Sequence, residues 1–226
     1  MPATLQIKEI LSTLQGEGPS AGRPCVLVRL AGCGLRCRWC DSEFAFEGGE
    51  TLGVPEVVRR VKERGLPLVL VTGGEPLEQE SCPELLEALV AEGLEVELET
   101  GGHRSVGEVP PKVKILMDLK APGSAMERRQ AWGELGRLKA TDALKCVLTS
   151  REDYDWIKAQ IEGPLKTCKA SLWLTPAHPV APREGHELSH PGLEPAQLAE
   201  WMVADNLPVR MQLQLHKQVW GAAEGH

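Results

Sequence analysis

The residue types best suited to chemistry lie in one stretch, Gly32-Cys33-Gly34-Leu35-Arg36-Cys37-Arg38-Trp39-Cys40-Asp41-Ser42. Its three thiols, spaced C-x3-C-x2-C, can converge on one metal centre. Disulfides fit poorly, because one of the three would be left over and nothing at the N-terminus reads as a secretory signal. Two metal readings stay open on spacing alone. Structural zinc normally closes with four ligands, and no fourth Cys or His lies nearby, the closest histidine in sequence being His103. An iron–sulfur cluster with four cysteines is an electron-transfer arrangement. With three, it leaves one iron open to a substrate or cofactor.

The chain around this loop alternates strands with amphipathic helices. Short apolar or β-branched runs at 26–30, 68–72, 96–99, 115–119, 144–148, 171–174 and 209–213 predict strands. The first of these feeds directly into the cysteine loop. Val54, Val57, Val58 and Val61 make one apolar stripe, with Pro55 near its start and Gly65 past its end, which predicts a helix. Ser81 and Glu84 have capping-box spacing ahead of Leu85, Leu86, Leu89 and Val90. Further helices are predicted over about 150–163 and after Pro195, with a less regular one over 127–139, and 175–195 reads as a surface loop. Repeated β–α alternation implies a parallel sheet, open or curled into a partial barrel, with functional groups at the C-terminal ends of its strands.

Composition narrows the classes further. The 226 residues fit one α/β domain, 1–226, and carry 25 Lys+Arg against 32 Asp+Glu, a net charge of −7. An acidic surface with 4% aromatics disfavours nucleic-acid binding by phosphate attraction or base stacking. No apolar run approaches a bilayer span, so no membrane partner is expected, and the cysteine usage suggests the cytoplasm. Cys25, Cys82, Cys146 and Cys168 are scattered singly and read as small buried hydrophobes.

C-x3-C-x2-C with an aromatic before its last Cys resembles the signature of the radical S-adenosylmethionine superfamily, and Thr72-Gly73-Gly74-Glu75-Pro76 is similar to its GGEP motif. Thr13-Leu14-Gln15-Gly16-Glu17-Gly18, Cys40-Asp41-Ser42, Glu99-Thr100-Gly101, Met117-Asp118-Leu119-Lys120 and Gln214-Leu215-His216-Lys217 resemble the 7-carboxy-7-deazaguanine synthase family, from about residue 10 to Trp220. The resemblance implies an α/β single-domain partial (β/α) barrel and a 4Fe–4S cluster on Cys33, Cys37 and Cys40. It implies S-adenosylmethionine contacts from Trp39, Gly73, Gly74, Glu75, Asp118, Leu119 and Lys120. The two glycines lack Cβ and can let a ligand approach the backbone, although a tight strand-to-helix turn would use them equally.

The family substrate is 6-carboxy-5,6,7,8-tetrahydropterin, converted to 7-carboxy-7-deazaguanine with loss of ammonia. Arg29 suits its carboxylate through two parallel bonds, or else forms a strand-end salt bridge. Leu14, Gln15, Gly16 and Thr72 would line the pterin. His216, expected on a late strand, is either near the substrate or a structural histidine. Relatives commonly place Thr at position 42 to bind Mg²⁺; Ser42 keeps the oxygen, which substrate oxygens and several waters can complement, or else it caps or turns the loop. The resemblance also implies a homodimer and a flavodoxin- or ferredoxin-type reductant. Rival readings are a glycyl-radical activating enzyme, which should lack Gln15-Gly16-Glu17-Gly18, and a zinc-stabilised binding module.

Overall fold

The computed structural model describes residues 3–180 and 191–221. One nine-stranded sheet organises the chain, in the order β3-β1-β2-β4-β5-β6-β7-β8-β9. Its strands are β1 (Thr4–Leu14), β2 (Pro24–Leu30), β3 (Glu50–Gly53), β4 (Leu68–Gly73), β5 (Glu95–Thr100), β6 (Lys114–Leu119), β7 (Ala143–Leu148), β8 (Ser171–Pro176) and β9 (Arg210–Met211). β1 runs antiparallel to β2 and β3, whereas β2 and β4 to β9 are parallel throughout. The helices are α1 (Val54–Lys62), α2 (Cys82–Ala91), α3 (Arg151–Glu162), α4 (Pro195–Ala204) and α5 (Leu215–Trp220). Among the described residues, β3 and β9 are free edges, so the barrel is partial. No helix of the described residues is long and apolar enough to cross a membrane.

Strand alternation sorts the side chains onto two faces. Val26, Val28, Leu30, Val69, Val71, Val96 and Leu98 join Val57 and Val61 of α1 and Leu85 and Leu89 of α2 in one core. Ile115, Met117, Leu119, Leu144, Cys146 and Leu148 pack with Tyr154 and Ile157 of α3 and Leu198 and Met202 of α4 in a second. Burying each such side chain contributes about 1.5–3 kcal/mol, so helices hold the outer face firmly. The residues between them, Leu27, Arg29, Leu70, Thr72, Glu99, Asp118, Lys145 and Val147, line a cavity on the opposite face. The turn joining β1 to β2 folds over that face, with Gly18 beside Leu116 of β6 and Glu17 paired with Lys145 of β7.

Several elements differ from the sequence expectation. β1 and β3 have no counterpart in the predicted list; their alternate exposure gives no continuous apolar run, and they form the antiparallel edge. Residues 127–139 form the 3-10 turns Glu127–Arg129 and Trp132–Arg137 instead of a helix, in keeping with Gly133 and Gly136 in that segment. Ser81 stands at the start of α2, but its hydroxyl makes no capping bond. Ser150 does cap α3, accepting from Asp153 N. The last strand shrinks to Arg210–Met211, and His216 lies on α5, not on a strand. The middle of the 175–195 loop and the tail after Gly221 lie outside the described residues.

Candidate active site

The cavity measures about 560 Å³, with the cysteine loop at the C-terminal ends of the parallel strands and the β1–β2 turn reaching in from the side. Cys33, Cys37 and Cys40 all line it, together with Trp39, Asp41 and Ser42. All three thiols are free, and burial pushes each of them up, Cys40 to about 12. Neutral thiols are therefore favoured until a metal takes the place of their protons. Among the described residues, no three His, Cys, Asp or Glu side chains gather around a point that a single metal ion would occupy. His103, the nearest histidine in sequence, is turned toward Glu78, with Nε2 2.8 Å from its Oε1; its Nδ1 lies 3.5 Å from Glu75 Oε2 and makes no hydrogen bond. Cys25, Cys82 and Cys146 are fully buried in the apolar cores. Three thiols with no fourth partner among the described residues suit a cluster with one open iron better than structural zinc.

Gly73 and Gly74 line the cavity, and the packing around them independently requires glycine. A Cβ on Gly74 would sit 2.0 Å from Gly32 O and 2.8 Å from Cys33 Cβ; one on Gly73, whose φ is +152°, would sit 2.2 Å from Leu30 O. The end of β4 is thus pressed onto the start of the cysteine loop, and Glu75 N donates to Gly32 O at 2.8 Å. Glu75 is likewise a strut. Its buried carboxylate accepts from Leu77 N, Thr100 Oγ1 and Gly101 N at 2.8–3.0 Å, joining the ends of β4 and β5, and burial raises its pKa.

Asp118 and Lys120 face the cavity as a pair, 3.0 Å apart. Burial works against the Lys120 ammonium, but Asp118 and Cys37 outweigh it and raise its pKa, so the charge persists beside the thiols. Leu119 does not join them. Alternation turns its side chain into the outer core, where it is 1% exposed.

Arg29 and Ser42 come together at the thiol end: Arg29 Nη1 donates to Ser42 Oγ at 3.4 Å. The guanidinium also pairs with Glu9 at 2.5 Å and lies over Phe44, 5.4 Å from its centroid. Arg29 thus forms the strand-end salt bridge and also lines the cavity. Gly16 makes room for His216, since a Cβ there would sit 2.0 Å from His216 Nδ1. His216 and Lys217 approach Asp41 Oδ2 at 3.9 and 3.3 Å, docking α5 against the residue after Cys40. Burial opposes the Asp41 charge, yet His216 and Lys217 hold its carboxyl well below the usual range. Leu14 and Gln15 also line the cavity, but the Gln15 amide is directed to Glu97 Oε2 at 3.0 Å. The Thr72 hydroxyl donates to Glu99 Oε2 at 3.2 Å.

Sequence reasoning assigned no role to Glu17, Glu99 or Lys145, which form a buried charged group on the cavity wall. Burial opposes the Lys145 ammonium, but Glu17 and Glu99 raise its pKa; burial raises that of Glu99 despite Lys145. A signal for two of them was present: Glu99 and Lys145 interrupt apolar strands at alternate positions, as Arg29 and Asp118 do.

A helix-backed, mostly parallel sheet with three thiols at the strand ends is the architecture of the Radical SAM superfamily, and residues 27–123 match that family's model. The chain is 43% identical over 221 residues to the 7-carboxy-7-deazaguanine synthase of Chlorobaculum tepidum, covering 96% of this chain and 95% of that protein. It is 38% identical to that of Koribacter versatilis, covering 96% and 97%. The chain belongs to the 7-carboxy-7-deazaguanine synthase family. The crystal structure of QueE from Escherichia coli shares its fold, with a TM-score of 0.72 at 20% identity over 94% of this chain and 95% of that one.

Proposed function

We propose that the chain converts 6-carboxy-5,6,7,8-tetrahydropterin to 7-carboxy-7-deazaguanine and ammonia. The observation that carries this reading is the meeting of Arg29 and Ser42 beside the cysteine loop, a cation and a hydroxyl facing one cavity with the thiols. Cys33, Cys37 and Cys40 would hold a 4Fe–4S cluster, which together with S-adenosylmethionine would supply the hydrogen abstraction at C6 of the pterin that starts ring contraction. The protein binds, orients and shields around that chemistry.

Lys120, held charged by Asp118, meets the carboxylate of the methionyl group, and Trp39 with the backbone at Gly73 and Gly74 bounds it. Arg29 grips the pterin carboxylate with the guanidinium edge that Glu9 leaves free. Ser42 would help hold Mg²⁺ through its hydroxyl oxygen, and the ion would neutralise charge on the substrate. Leu14, Gly16 and the backbone of Gln15 flank the heterocycle, and His216 closes over Gly16. A flavodoxin- or ferredoxin-type protein supplies the electron, and the enzyme works in the cytoplasm as a homodimer. An anaerobic assay with the pterin, S-adenosylmethionine, Mg²⁺ and dithionite tests the reading. It expects the deazaguanine acid with S-adenosylmethionine unconsumed. A brown, iron- and sulfide-replete protein that forms no such product would refute it.

A further inference from the structure

One carboxylate oxygen on the cavity wall has no partner. Glu17 is 4% exposed, and its Oε2 pairs with Lys145 Nζ, but its Oε1 is buried without any hydrogen bond. Nearby donors are taken: Gln15 Nε2 and Ser20 Oγ both go to Glu97, and Thr72 Oγ1 to Glu99. A buried acceptor left unmet keeps the full cost of its lost hydration. Glu17 and Lys145 both line the cavity, so an N–H group of a bound ligand can reach the free oxygen from there.

We propose that Glu17 is a specificity-determining residue, its Oε1 accepting from the aminopyrimidinone edge of the substrate. That edge carries a ring N–H beside an exocyclic amino group, and a carboxylate is its natural acceptor. The inference rests on the pterin reading above and assigns the end of the heterocycle remote from its carboxylate. Arg29 then selects the acid and Glu17 the amine. Lys145 holds Glu17 in position through its other oxygen, and Glu99 is a second carboxyl group beside that ammonium.

Glu17→Gln tests this sharply. Lys145 claims the carbonyl oxygen of the new amide, so an NH2 group faces the cavity and meets the donor edge donor to donor. The probes are 6-carboxypterin and its analogue lacking the 2-amino group, titrated into the anaerobic holoenzyme by calorimetry. The wild type should prefer the amino compound by at least about tenfold, equivalent to 1.4 kcal/mol. Glu17→Gln should lose that preference to within about twofold while keeping its iron content and melting temperature. A variant that keeps the preference overturns the role of Glu17. Equal wild-type binding of both compounds overturns it too, without any variant. A wild type that binds neither overturns the pterin reading, and this inference with it.

Discussion

Gly74→Ala is a one-methyl perturbation whose consequence the geometry sets. The added Cβ would lie 2.0 Å from Gly32 O, about 1.4 Å inside the 3.4 Å of ordinary contact, and 2.8 Å from Cys33 Cβ. Its neighbours are backbone and a ligand's own Cβ, so no flexible tip can swing aside. The cysteine loop or the end of β4 must retreat by about an ångström. That movement breaks or stretches Glu75 N to Gly32 O, 2.8 Å, and Gly74 N to Leu30 O, 3.0 Å. Overpacking costs about 1–3 kcal/mol, and each weakened bond adds about 0.5–1.5 kcal/mol. The sum is about 2–6 kcal/mol, concentrated where the first thiol is positioned. Iron and acid-labile sulfide should fall well below stoichiometry after anaerobic reconstitution, and thermal unfolding should shift down by several degrees. Gly133→Ala is the control, because nothing lies within 4 Å of its added methyl. A Gly74→Ala protein with full iron and an unchanged melting temperature would refute the claim that these glycines exist to seat the loop.

Other consequences are equally concrete. Cys33→Ala, Cys37→Ala or Cys40→Ala should each abolish cluster assembly, read by iron analysis and the loss of brown colour. Arg29→Ala should raise KM by about tenfold or more, as loss of a charge-assisted bond implies, with iron content unchanged. Gly16→Ala should push His216 and α5 away from the cavity, raising KM more than it lowers melting temperature, because the clash is with a half-buried side chain at the rim. Turnover should rise with added Mg²⁺, and Ser42→Ala should require more of it; rates indifferent to Mg²⁺ would remove Ser42 from that role.

The parts of the fold that local physics dictates were readable from the chain. The parallel strands were readable because the face that the helices cover is apolar along each of them. The α1 stripe of Val54, Val57, Val58 and Val61 is buried as its spacing implies. β1 escaped because one of its faces meets solvent and its residues alternate. Residues 127–139 misled because spacing alone does not weigh two glycines against a helix. Membership in a motif says nothing about which face a side chain takes: alternation sent the Leu119 side chain to the core while Asp118 and Lys120 stayed in the cavity.

By itself, the sequence determined the donor set. Three thiols at short spacing are covalently tied within one loop, and the strand before them dictates where that loop emerges. Tertiary structure alone decided what surrounds them. Glu17 meets Lys145 across 128 residues, Arg29 meets Glu9 and Ser42, and His103 turns to Glu75 and Glu78. Charges so distant in the chain become neighbours only when the curled sheet closes over them. Burial then compels each to find a partner, and the Glu17 oxygen left without one marks where the next partner belongs.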